Sequence, residues 1–131
     1  MKNIHILTIV DTNQRYDTVG DYKVQKDESL LISVSKMSDS RFEFLIAIHE
    51  LVESYLCDMR GITESSIDRF DFAYEDNRTE GDLLSQPGDD PQAPYYREHQ
   101  FASKIERLMA KELNVDWSVY NEACAKLTQN S

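Results

Sequence analysis

The segment His49-Glu50-Leu51-Val52-Glu53 is where residue types and spacing in this chain first point to chemistry. On a helix advancing about 100° per residue, positions 49 and 53 lie one turn apart on the same face. Phe42, Leu45, Ile46 and Leu56 fall with them in an arc about 100° wide, so the His and the Glu sit inside an apolar stripe. A polar side chain there costs several kcal/mol unless partnered, and an ionised carboxylate costs more. Glu53 therefore needs a partner. A metal ion is one candidate, because Cβ atoms at i and i+4 are about 5–6 Å apart and two such side chains can reach one ion. The other is a plain structural pairing, either His49 with Glu53 or one of them with Arg60, Arg69 or Arg97. Glu50 projects from the edge of the apolar arc.

A third ligand must come from elsewhere in the chain. His5 lies in an N-terminal strand without further ligand pattern and reads as a structural or edge residue. His99 shares a helical face with Tyr95, Ala102, Met109 and Leu113, and the small Ala102 allows another helix to approach closely. Asp68, Asp71 and Glu75 also share a face and could supply an oxygen ligand instead of His99, although such spacing is usually a solvated face. Glu98 and Glu106 flank His99; either could orient an imidazole, and Glu98 reads better as a surface acid. Cys57 reads as core packing rather than a ligand, and Cys124 as core beside Trp117 and Tyr120.

The His49-Glu50-x-x-Glu53 helix resembles the His-Glu-x-x-His helix of minimal zincin-like metallopeptidases, with Glu53 in place of the second His. The likeness spans about residues 19–61: a hairpin, a strand from Leu30 to Ser35, then the helix carrying His49. It implies zinc as the metal and Glu50 as general base. Metal ligands His49, Glu53 and His99 would have the two-His, one-Glu composition of thermolysin-type sites in permuted order. It further implies that Leu30–Ser35 is an edge strand over the cleft, able to bind an extended peptide by strand addition. The stretch Pro87-Gly88-Asp89-Asp90-Pro91, the segments Ala93-Pro94-Tyr95 and Glu98-His99, and Asn114-Val115-Asp116-Trp117 are similar to small uncharacterised phage and prophage proteins. That second likeness brings no activity, only an expectation of mobile-element origin and a host-directed role.

The elements that must position these residues read as an α+β fold, a small antiparallel sheet of about three strands followed by three or four helices. Residues 1–131 form a single domain: a β-rich 1–36, a metal-site helix within 37–61, an acidic helix and loop over 62–93, and C-terminal helices over 94–131. Strands are expected at Ile4–Val10, around Tyr22 and Val24, and at Leu30–Ser35 after the polar turn Lys26-Asp27-Glu28-Ser29. Ser40 with Glu43 reads as a capping box and Gly61 as the stop. A second helix spans Thr63 to about Arg78 with Ile67, Phe70 and Tyr74 on one face. Gly81–Ala93 is turn-rich, Pro94 opens a helix to Leu113, and Asp116 caps a last helix whose stripe is Trp117, Tyr120, Cys124 and Leu127.

With 24 acidic and 14 basic residues the formal net charge is -10, and residues 61–92 alone carry nine acids against two bases. Phosphate backbones and anionic membranes are poor partners for such a chain. At 40% hydrophobic residues it can bury a core, which excludes wholesale disorder. Two cysteines, no apolar run of about 20 residues, and a start that runs straight into a strand lead us to expect a cytoplasmic protein. The functional expectation is zinc-dependent hydrolysis of a peptide or amide bond in a peptide or protein substrate. The alternative is a non-catalytic acidic protein that blocks a basic surface on a host partner, holding a structural metal or a buried His–Glu pair. A magnesium-dependent nucleotide pyrophosphatase ranks third: Glu50 and Glu53 give one Glu-x-x-Glu pair, but no Glu-x-x-Asp follows on the His99 helix.

Overall fold

A computed structural model of the chain describes residues 2–82 and 85–129. Three strands, β1 (Ile4–Ile9), β2 (Gly20–Val24) and β3 (Leu30–Ser35), form one sheet in the order β1-β3-β2. Four helices follow: α1 (Ser40–Met59), α2 (Glu64–Asp76), α3 (Tyr96–Glu112) and α4 (Trp117–Gln129). The architecture is α+β, with the sheet at the N-terminal end as expected.

The sheet itself is mixed. β2 pairs antiparallel with β3, but β1 runs parallel to it, Ile4 opposite Leu30 and Ile9 opposite Ser35. β3 is therefore the central strand, hydrogen-bonded on both sides, and cannot be the peptide-binding edge that Leu30–Ser35 was expected to provide. The missed feature is the connection. The segment from Val10 to Val19 is long enough to carry the chain past a strand position, so β2 takes an outer place and β3 fills the gap. His5 lies exposed on the edge strand β1, in keeping with a non-ligand role.

One face of β3 builds the core. Leu30, Ile32 and Val34 alternate inward and pack with Phe42, Leu45 and Ile46 of α1, Ala110 of α3 and Tyr120 of α4. α1 starts one residue earlier than the capping-box reading: Asp39 caps it, its Oδ1 accepting from Arg41 N at 2.9 Å, while Glu43 accepts from Met37 N at 2.7 Å. A carboxylate at that position also opposes the positive end of the helix dipole. Gly61 ends α1 with φ of 71°, a left-handed conformation that glycine adopts without cost.

Thr63 caps α2, and Asp116 caps α4 through Ser118 N and Val119 N at 2.9 and 3.2 Å. On α2 the buried residues are Ile67 and Asp71, with Phe70 and Tyr74 only partly covered. Pro94 stands just before α3, two residues ahead of its first turn. In the turn-rich stretch a 3-10 turn forms at Pro87–Asp89; Leu83 and Leu84 of that stretch lie outside the described residues, as do Met1, Asn130 and Ser131.

Candidate metal centre

α1 and α3 pack against each other, and their facing stripes carry the polar residues. On α3 the buried side chains are Glu98, His99, Ala102, Glu106 and Ala110, a single face at helical spacing. Ala102 is fully buried, and its small side chain lets α1 come close enough for its His49 and Glu53 to meet His99.

The three expected ligands converge. His49 Nε2 lies 2.9 Å from Glu53 Oε2, His99 Nδ1 lies 2.8 Å from the same oxygen, and the two nitrogens are 3.1 Å apart. All three residues are buried, and their ligand atoms fall within 4.8 Å of one another. Two ligands on a tetrahedral ion with bonds of about 2.0–2.1 Å stand about 3.3–3.4 Å apart. The observed triangle is slightly tighter, so seating an ion asks for movements of a few tenths of an ångström. The same contacts satisfy the structural alternative, in which His49 and Glu53 hydrogen-bond one another. They exclude Arg60, Arg69 and Arg97 as Glu53's partner among the described contacts: Arg60 instead binds Glu98 at 2.7 Å.

Charge in the cluster is balanced locally. Burial acts to raise the Glu53 carboxyl, but hydrogen bonds from His49 and His99 outweigh it and hold the group at about 2. Burial opposes a charged His49 ring, yet Glu106 and Glu53 raise it well above the ordinary imidazole value. For His99 the same opposition is overcome by Asp89 and Glu53, to about 9. A cation entering the site would compete with protons for the two rings.

Glu106 supports this cluster from behind. Its Oε1 lies 2.8 Å from His49 Nδ1, and its Oε2 accepts from Tyr120 of α4 at 2.5 Å. Such a carboxylate holds the imidazole so that Nε2 faces the cluster. Glu98, expected at the surface, is buried, because its partner Arg60 at the end of α1 neutralises it there. The sequence held that signal only as an acid adjoining His99 on the apolar side of α3.

A cavity of about 570 Å³ reaches the cluster and is lined by Glu50, Gly20, Tyr22, Asp71 and Tyr95 among others. Glu50 is only partly buried and makes no side-chain hydrogen bond among the described residues; burial and the charge of Glu53 push its carboxyl well above the usual range. Gly20 of β2 crosses directly over it, since a Cβ there would fall 2.8 Å from Glu50 Oε1 and 2.5 Å from Ile46 Cγ2. β2, an outer strand, thus borders the cavity in the place expected for β3.

The acids of α2 do not join the ligand group. Asp68 pairs with Arg15 at 3.1 Å, Glu75 with Arg78 at 2.7 Å, and Asp71 accepts from Tyr95 Oη at 2.5 Å. Asp71 is buried rather than solvated, and burial lifts it to about 7 against the lowering effect of Tyr95. Cys57 packs with Ile67, Ala93 and Tyr95, its thiol pushed up to about 12 by burial, and Cys124 lies against the core beside Trp117. Both match the core reading. Among the described residues no helix is long and apolar enough to cross a membrane. No family model, curated protein or solved structure matches this chain.

Proposed function

We propose that this chain is a zinc-dependent hydrolase acting on a peptide or amide bond. The observation that carries the reading is the convergence of His49 Nε2, Glu53 Oε2 and His99 Nδ1 at the wall of a cavity that also holds Glu50. Zinc, when bound, supplies Lewis acidity that polarises a carbonyl and lowers the pKa of water from about 15.7 towards 7.

The chain's own groups do the rest. His49, Glu53 and His99 would hold the ion, and Glu106, itself bonded by Tyr120, keeps His49 Nε2 facing Glu53. Glu50, whose raised carboxyl makes it a stronger base once ionised and which has no side-chain hydrogen bond among the described residues, would take a proton from water and pass it to the leaving nitrogen. β2, the outer strand, lines the cavity with Gly20, Asp21 and Tyr22, beside which the substrate would lie. A cytoplasmic, phage-encoded setting belongs to the same proposal.

Metal content tests it directly. Protein purified without chelator should carry one equivalent of zinc, lost in His49→Ala, while Glu50→Gln keeps the metal and loses peptide hydrolysis. Absence of stoichiometric metal from the wild type would sink the reading. The acidic-inhibitor alternative has less support, because Asp68, Asp71 and Glu75 are engaged by Arg15, Tyr95 and Arg78. A pyrophosphatase is not favoured either: Glu53 turns to two imidazoles rather than sharing a magnesium site with Glu50.

A further inference from the structure

One part of the site lies outside the helices, in the 3-10 turn Pro87–Asp89. Gly88 of this turn lies against the His99 ring: a Cβ there would fall 2.3 Å from Cγ and 2.4 Å from Nδ1, so a larger residue would displace the imidazole. Asp89 places Oδ1 3.3 Å from His99 Nε2 and is held by Gln100 Nε2, which donates to the same oxygen at 2.9 Å. His99 Nε2 is buried, and at this distance it is within ion-pair range of Asp89 but not aligned for a hydrogen bond with any described group.

The two imidazoles consequently face opposite ways. His49 turns Nε2 to Glu53 and Nδ1 to Glu106, whereas His99 turns Nδ1 to Glu53 and Nε2 towards Asp89. A neutral imidazole carries one proton, and the nitrogen that bears it cannot ligate. A carboxylate beside the distal nitrogen holds the proton there and frees the other for the metal.

We propose that the centre takes its divalent metal through a mixed pair of ring nitrogens, His49 Nε2 and His99 Nδ1, and that Gly88 and Asp89 are the positioning residues that fix His99 in this orientation. The proposal rests on the metal reading above and adds to it what fixes His99 with Nδ1 towards the ion. It also gives the acidic stretch 61–92 a part in the site: Asp89 completes on His99 what Glu106 does on His49. Seating the metal on Nδ1 leaves the ring proton on Nε2, 3.3 Å from the charge of Asp89 Oδ1.

The test is a long-range proton–nitrogen correlation spectrum of the full chain, labelled with nitrogen-15 and loaded with zinc or cadmium-113. The expected result is metal on Nε2 of His49 and on Nδ1 of His99, each with its proton on the other nitrogen. Metal on Nε2 of both rings overturns the proposal and leaves the metal reading standing; no metal uptake at all overturns both.

Variants give a second readout. Asp89→Ala should weaken zinc binding about tenfold, the low end of the 10–100-fold range for such partners, because the side chain is 53% exposed. Asp89→Asn, which keeps an acceptor oxygen, should restore most of that loss. Gly88→Ala should weaken zinc without altering any charge, with circular dichroism checking that each variant keeps its helices. Unchanged affinity in both Asp89→Ala and Gly88→Ala overturns the proposal.

Discussion

The two halves of α1 meet the rest of the molecule in opposite ways. Its N-terminal half sends Phe42, Leu45 and Ile46 into an apolar core with Ile32, Val34, Ala110 and Tyr120. From His49 on, it sends His49 and Glu53 into an interface where His99 and Glu106 wait on α3. Apolar burial stabilises at about 25 cal/mol per Å² with no demand on direction. The polar half carries desolvation penalties that its contacts only offset, and apolar side chains of similar size would often serve stability as well or better. A helix that holds both on one face is anchored by one end and equipped for chemistry by the other.

Removing the anchor should have the largest effect. Leu45 is fully buried, and Leu45→Ala should cost about 2–5 kcal/mol in denaturant unfolding while leaving zinc affinity of the folded fraction unchanged. If zinc binding were lost in proportion to stability, the two halves would not be separable.

Zinc itself should act through the polar half. At a free concentration of 100 times its Kd, an ion bound only by the folded state adds about 2.7 kcal/mol, raising Tm in the wild type and not in His49→Ala. An equal shift in both proteins would place the ion elsewhere.

The smallest expected effect lies beside the site, at Asp71. Its folded value of about 7 exceeds the ordinary 3.8, so the folded state holds the proton more tightly. The stability this gives is present below about pH 3.8 and is lost as the pH rises through about 7. Asp71→Asn keeps an acceptor for Tyr95 and should flatten that loss. We expect a Tm about 2–4 °C above wild type at pH 8, shrinking as the pH falls towards 4. A difference that grows on acidification would reverse the assigned direction.

Much of this arrangement was legible in local periodicity. The 3.6-residue pattern of α1 put His49 and Glu53 on its apolar face, and the pattern of α3 did the same for His99 with Ala102 beside it. Glycine and proline marked Gly61 and the turn near Pro87. What periodicity missed is instructive. The parallel β1–β3 pairing depends on where the chain crosses, which no strand's own residues encode. Glu98 is buried because Arg60, 38 residues away, meets it. Asp89 sits in a run that reads as a solvated turn, and only contact of Gly88 with the His99 ring shows that the turn belongs to the site.

The sequence by itself determined that His49, Glu53 and His99 face the core and that Glu53 needs a partner there, because a helix's own geometry decides its faces. The tertiary structure alone decided who the partners are: that His49 and His99 meet on one oxygen of Glu53, that Glu106 and Asp89 stand behind the two rings, and that β2 rather than β3 borders the cavity. The physical reason is range. Periodicity acts over a few residues, whereas pairing a buried charge requires groups 46 to 57 positions apart to arrive within about 3 Å, and only the packing of α1 on α3 brings them there.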